Sequence, residues 1–260
     1  MSLSETPILA TRGLTKRFGG LVAVSDLSFS VSRHEIFGVI GPNGAGKSTL
    51  FNLLAATYPP SGGDIEFDSR PTAGMPTHLL AQRGMARTFQ NLRLFGDQSV
   101  LDNVLIGSYR HARSGLWSGL AGFGRATAAE RVRQEKALHW LRFVGLDSLA
   151  GQVASDLSFG QQRLLELARA LALEPVLLLL DEPASGLNDR ETERFAEMLR
   201  RLPGLGVTVL LVEHNMQLMM SVAERMLVMD CGVKIAEGSP AEIQANARVV
   251  EVYLGSEETA

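Results

Sequence analysis

The sequence predicts an α/β protein: a parallel sheet interleaved with helices, an antiparallel β subdomain ahead of it, and an inserted α-helical subdomain. Three observations carry this. Ile36 to Ile40 is a short apolar run that ends abruptly in Gly41-Pro42-Asn43-Gly44, and a helical pattern follows from Lys47 to Ala56, so the segment reads strand, loop, helix. Val176 to Leu180 and Val207 to Val212 are apolar stretches of strand length with helical material between them, the pattern of buried parallel strands. Residues 91–160 differ from both flanks, with two helical patterns around a Gly- and Ser-rich stretch.

In chain order, Val22-Ala23-Val24 and then Leu27, Phe29 and Val31 alternate with polar neighbours. The register changes between the two sets, as in half-buried antiparallel strands with a bulge or turn. In the insertion, helices are expected near 99–111 and 127–145. They flank Arg113 to Thr127, whose Trp117 and Phe123 either form a partner surface or pack inside a small Ω-loop. Leu157-Ser158-Phe159-Gly160-Gln161-Gln162 opens a helix with Leu164, Ala168, Leu171 and Ala172 on one apolar face and Arg163, Glu166 and Arg169 off it. Asn188, three residues before Glu191, resembles a capping box, and Phe195, Met198 and Leu202 recur at helical spacing behind it. The expected organisation is one domain over 1–260, with 1–90 and 161–260 forming the α/β core and 91–160 the helical subdomain.

Composition narrows the function. With 260 residues, 45% of them apolar and 20% charged, the chain is an ordinary globular one. A net charge of −3 disfavours duplex DNA or an anionic membrane as the partner of the whole molecule. Cys231 is the only cysteine, so no internal disulfide forms and a reducing cytosol fits. The opening residues lack a basic start followed by a long apolar core. Moreover, the longest uninterrupted apolar run, Val176 to Leu180, is far below the roughly 20 residues of a bilayer span. Neither secretion nor membrane spanning is expected, whereas docking on membrane proteins stays open.

The chemistry starts at Gly41-Pro42-Asn43-Gly44-Ala45-Gly46-Lys47-Ser48, which matches the phosphate-binding loop G-x-x-x-x-G-K-[ST], with Thr49 next in the helix. Its glycines let successive backbone N–H groups turn inward and the helix adds its positive end. Lys47 reaches terminal phosphates and Ser48 can ligate Mg²⁺. Asp181-Glu182 ends the second apolar strand, so both carboxylates emerge at the carboxyl edge of the sheet, where ligands bind. Together with Lys47 they read as a Mg²⁺ and water site, Asp181 toward the metal and Glu182 toward the attacking water. Ser158 and the Gly160 amide, at a helix N-terminus, read either as a plain cap or as an anion site.

In company, these three motifs resemble those of the ATP-binding cassette (ABC) ATPases, and the resemblance extends over essentially the entire chain. It implies ATP and Mg²⁺ as ligands, with Lys47, Gln90, Glu182 and His214 as the catalytic set. Phe18 would stack on adenine, and Gly41 to Thr49 would hold phosphates. Ser48, Gln90 and Asp181 would face the metal, and His214 the γ-phosphate. Ser158, Gly160 and Gln161 would complete the site of a second subunit, identical or paralogous, and Ser185-Gly186-Leu187-Asn188 would cross that interface. Two departures stand out: Phe159 occupies a position usually held by Gly, and Asn188 one more often held by Asp. The first leaves less backbone freedom, and the second makes a cross-interface carboxylate unsafe to carry over.

Within the family, Arg87-Thr88-Phe89-Gln90-Asn91-Leu92-Arg93-Leu94-Phe95, the insert around Trp117, the 157–163 segment and the ending Val252-Tyr253-Leu254-Gly255 are similar to the first ATPase subunit of branched-chain amino acid importers. The implied partners are two integral membrane permeases and, indirectly, an extracytoplasmic substrate-binding protein, with no nucleic acid. The implied place is peripheral, on the cytoplasmic face of the inner membrane. Gln90 would pass nucleotide state to the helical insertion, where Leu92, Leu94 and Phe95 beside Arg93 form the expected docking entry. Rival readings are a lipid or lipopolysaccharide exporter's ATPase, an ATP-dependent interaction module, and a chromosome-maintenance ATPase, the last lacking the heptad arms it needs.

Overall fold

A computed structural model describes residues 6–88, 94–108 and 123–257, with backbone alone at 123–129 and 253–257. Strands β1 (Leu9–Phe18) and β2 (Leu21–Val31) form an antiparallel hairpin. The register change foreseen in β2 is a bulge within one strand: Leu14 faces Leu27 but Lys16 faces Val24, and Asp26 takes a φ of 48° to absorb the extra residue. Strand β4 (Gly62–Phe67) pairs with the other edge of β1, and the two-residue β5 (Arg70–Pro71) completes an antiparallel sheet in the order β2-β1-β4-β5.

The second sheet comprises β3 (Ile36–Ile40), β6 (Met85–Arg87), β7 (Leu177–Asp181), β8 (Thr208–Val212), β9 (Arg225–Asp230) and β10 (Val233–Gly238). Its order is β10-β9-β3-β8-β7-β6. Pairing is parallel from β9 to β6 and antiparallel only in the β9–β10 hairpin. Every residue of β3, β7 and β8 is buried, which explains why the expected strands read as apolar runs rather than alternations. Alternate residues serve opposite layers. Phe37, Val39, Leu177, Leu179, Leu210 and Val212 face a core shared with the antiparallel sheet and α1 (Lys47–Leu54). Ile36, Ile40, Leu178, Leu180, Val209 and Leu211 face a second core, shared with the helices on the opposite side of the sheet. Full burial of one such side chain contributes about 1.5–3 kcal/mol, so the sheet is the part least tolerant of change.

The helical layer holds α3 (Val100–Gly107), α4 (Phe123–Val144) and α5 (Phe159–Leu171), which pack on one another. The first two replace the expected 99–111 and 127–145. Beyond them lie α6 (Asp189–Arg201), α7 (Met216–Val222), α8 (Pro240–Gln244) and α9 (Ala247–Glu257), with α2 (Thr77–Gln82) ahead of β6. The capping box at α6 is present in full: Asn188 Oδ1 accepts from Glu191 N at 3.0 Å, and Glu191 Oε2 accepts from Asn188 N at 3.0 Å.

One expectation is overturned. Arg163 and Glu166 do not lie off the buried face of α5: they are 6% and 3% exposed, with Arg163 Nη1 3.5 Å from Glu166 Oε2. The reason is position, because α5 is packed against α3 and α4 and also against β6, and a helix enclosed on several sides buries its polar positions in pairs. Trp117 lies outside the described residues, as does the side chain of Phe123. Among the described residues, no helix is long and apolar enough to cross a membrane.

Candidate active site

The phosphate loop links β3 to α1, and close backbone approaches shape it. A Cβ at Gly41 would run into the Met229 carbonyl, and one at Gly46 into the Ala23 carbonyl, so β9 and β2 hold the loop from both sides. Gly46 also has a φ of 96°, which favours glycine, and as N-cap of α1 it supplies no capping side chain. The first-turn N–H groups of α1, which no helical carbonyl can satisfy, are therefore left to a ligand at the positive end of the helix.

Lys47 is 7% exposed and folds back, its Nζ donating to the carbonyls of Gly41 at 2.6 Å and Pro42 at 2.9 Å. Burial pushes its pKa below the ordinary lysine value, while Glu182 and Asp181 pull it back up. An incoming phosphate would exchange two neutral acceptors for charged ones. The cleft around it has a volume of about 430 Å³ and is lined by Leu21 to Ala23, Asn43 to Thr49, Glu182 and Cys231.

Asp181 ends β7 and is 4% exposed. Burial raises its pKa, and Arg87 counters this: Arg87 Nη2 lies 3.1 Å from Asp181 Oδ2. Glu182 has left the strand, with a φ of 47° and its N–H donating to the Val212 carbonyl at 2.9 Å. That sparsely populated conformation turns its side chain into the cleft, as strained backbone does at functional sites. His214 is largely exposed, with Nδ1 4.0 Å from Glu182 Oε2 and 3.9 Å from Glu213 Oε2.

Two supporting residues escaped the sequence reading. Glu213, wholly buried, accepts from Ala184 N at 2.8 Å, His214 N at 3.2 Å and Asn215 N at 3.4 Å, tying the segment after Glu182 to the one carrying His214. Burial raises its pKa against those donors. Arg87 is the second, also reaching Asn52 Oδ1 at 2.8 Å. A charge directly after an apolar strand was the available signal for Glu213, since a carboxylate there must find donors inside the fold.

The structure gathers Lys47, Ser48, Thr49 and Glu182 into one cleft and sets Asp181 close enough to act on the charge of Lys47. Ser158, Gly160 and Gln161 do not line it. They form the α5 N-terminus, where Ser158 Oγ accepts from Gln161 N at 3.3 Å and Gln161 Oε1 accepts from Ser158 N at 2.9 Å. Phe159 packs over Gly186, and a Cβ at Gly160 would collide with the Glu191 carboxylate, so this end is fitted against the start of α6. Phe18 faces Leu21 across the hairpin, beside the cleft, with an exposed ring edge-on to Tyr58 at 5.5 Å. Gln90 lies outside the described residues.

The oxygens of Ser48 and Asp181 suit a hard divalent cation. The described residues hold no cluster of three or more His, Cys, Asp or Glu side chains placed for a metal. A cation here would thus be held as Mg²⁺ usually is, by one or two protein oxygens with phosphate and water.

Comparison with known proteins gives one answer. The ABC transporter family model matches residues 24–185, and the branched-chain amino acid ATP-binding cassette transporter model matches residues 233–259. A high-affinity branched-chain amino acid transport ATP-binding protein of Pseudomonas aeruginosa is 42% identical over 96% of this chain and 98% of its own. The Escherichia coli K12 protein so described is 40% identical over the same shares. Among solved structures, an ATP-binding cassette of an ABC transporter in its ADP conformation superposes with a TM-score of 0.83 at 30% identity, over 96% of this chain and 99% of that one. A dimeric bacterial ABC transporter cassette superposes with a TM-score of 0.75 at 25% identity, over 89% and 98%.

Proposed function

The chain belongs to the ABC transporter family, and from that premise we propose that it is the ATP-hydrolysing subunit that powers uptake of branched-chain or related hydrophobic amino acids through separate permeases. The observation that carries the chemistry is the convergence of Lys47, Ser48 and Glu182 on one cleft at the carboxyl edge of the parallel sheet, with Asp181 behind. The loop amides and Lys47 hold the phosphates. Glu182 accepts a proton from the water whose oxygen bonds to the γ-phosphorus as the bond to ADP breaks. His214 approaches from the β8 side and orients the γ-phosphate. Ser48, Asp181 and Gln90 would hold Mg²⁺, which neutralises phosphate charge when bound.

Because the α5 N-terminus stands apart from its own chain's cleft, Ser158, Gly160 and Gln161 are assigned to the site of a second subunit, and the dimeric relative supports that arrangement. Closing two subunits over ATP would move attached permeases, and hydrolysis would release them. A candidate docking surface lies on the helical side. Phe95 is 48% exposed and Ile106 37%, and both line a cleft of about 200 Å³ together with Arg87 and Arg169. Docked there, the subunit would sit peripherally on the cytoplasmic face of the membrane. The cargo rests on the two relatives and on the match at residues 233–259, which also favour uptake over lipid export.

The test is reconstitution. The complex that co-purifies with this subunit from its host in mild detergent should, in liposomes, accumulate leucine, isoleucine or valine only with ATP. ATP-driven movement of lipid with no amino acid uptake would overturn the cargo.

A further inference from the structure

Arg87 closes β6 just before the segment that leads into the helical insertion, and its guanidinium stands between two features that the proposed function treats separately. On one side Nη2 holds Asp181 Oδ2 at 3.1 Å, and Nη1 holds Asn52 Oδ1, on α1, at 2.8 Å. On the other side Arg87 lines the cleft that contains Phe95, Ile106 and Arg169. The side chain is 15% exposed and also lies over the Phe51 ring at 5.9 Å, so it is clamped rather than waving in solvent. A planar, two-pronged cation held this way fixes the orientation of the carboxylate it touches and leaves Asp181 Oδ1 for another partner. A displacement of the cleft wall that moves Arg87 would be felt at Asp181, because the guanidinium touches both.

We propose that Arg87 is a positioning residue that sets Asp181 for Mg²⁺-nucleotide and carries the state of that site to the Phe95 cleft. This rests on Asp181 being the metal carboxylate, and the experiment separates the two claims. The affinity of a fluorescent ADP analogue is measured with Mg²⁺ and with EDTA, and hydrogen exchange is followed in the 94–108 segment with and without Mg²⁺-ADP.

In the wild type, Mg²⁺ should tighten binding and nucleotide should alter exchange in 94–108. Asp181→Asn should remove the Mg²⁺ gain, and an unchanged gain there would overturn the metal reading itself. Arg87→Met should cut the Mg²⁺ gain by about 10-fold or more, as loss of a partner behind a metal ligand does, while affinity in EDTA stays close to wild type. It should also abolish the exchange response. Arg87→Lys should recover part of the Mg²⁺ gain through its charge but not the exchange response, since one ammonium cannot span Asn52 and Asp181. A merely structural Arg87 would weaken both affinities together and leave their ratio intact. That result, or an exchange response in Arg87→Met equal to wild type, would overturn the proposal. If Arg87→Met does not fold, Arg87→Lys decides by exchange alone: a wild-type response there overturns it.

Discussion

Replacing Glu213 by Gln isolates a contribution that the fold makes to the site without touching a ligand. Both Glu213 oxygens accept backbone N–H groups, Oε1 from Ala184 and Oε2 from His214 and Asn215. A glutamine can keep its oxygen toward only one set. In its better orientation it serves His214 and Asn215 and turns an NH₂ group against the Ala184 N–H. One hydrogen bond to a charged group is lost and a buried donor left unmet, a cost of about 1–3 kcal/mol. At about 2–4 °C per kcal/mol for a domain near this size, the melting temperature should fall by about 2–12 °C.

The effect also has a pH signature. Burial raises the folded-state pKa of Glu213 above its ordinary value of 4.5, so between those two values the native state binds more protons than the unfolded one. Stability contributed by this group therefore rises as pH falls through the folded pKa toward 4.5, and glutamine lacks that response. The gap between wild type and Glu213→Gln should widen as pH falls through the folded pKa toward 4.5. Thermal melts across that range, with steady-state ATPase kinetics at pH 7, provide the assay. Turnover should drop with little change in KM, because Glu213 positions the segments of Glu182 and His214 and not the phosphate loop. A variant that melts with the wild type at every pH would mean that the Glu213 carboxylate contributes nothing to holding these segments.

Three further outcomes follow from the site. Lys47→Ala should weaken ATP binding by about tenfold to a hundredfold, the worth of a charge-assisted contact, and unchanged affinity in a fluorescent-nucleotide titration would sink the loop assignment. Glu182→Gln should bind ATP normally yet lose about 10²–10⁴-fold in turnover, since an amide cannot accept the water's proton; near-full turnover would leave Glu182 a structural role. Phe95→Asp should keep basal ATPase, because Asn103 holds the Phe95 backbone through Oδ1 at 2.9 Å and Nδ2 at 3.0 Å while the ring is half exposed. Pull-down should then show loss of the permeases, and retention of them would move the docking surface elsewhere.

Much of this was readable in the residues. A glycine-rich break after Ile36 to Ile40 admits few structures besides a phosphate loop, and runs such as Val176 to Leu180 have nowhere to sit but a doubly covered sheet. Even the bulge in β2 showed, because one extra residue flips every later side chain to the other face. What stayed hidden were charges whose partners lie far along the chain. Arg87 meets Asp181 across 94 positions, and Glu213 meets the Ala184 N–H across 29. Arg163 and Glu166 misled for a related reason, since a charge is read as surface until a tertiary neighbour covers it. The roles given to Phe18 and Gln90 rest on resemblance.

In the proposed function two chains build each ATP site, and mixing variants distinguishes that arrangement from a site made by one chain. A Lys47→Ala chain and a Ser158→Arg chain, each inactive alone, are combined and their ATPase measured against either by itself. A mixed dimer then holds one intact site, Lys47 from one chain and Ser158 from the other, so activity should reappear on mixing. Activity that stays at the level of the separate variants would contradict it, placing Ser158 in the site of its own chain or outside any site.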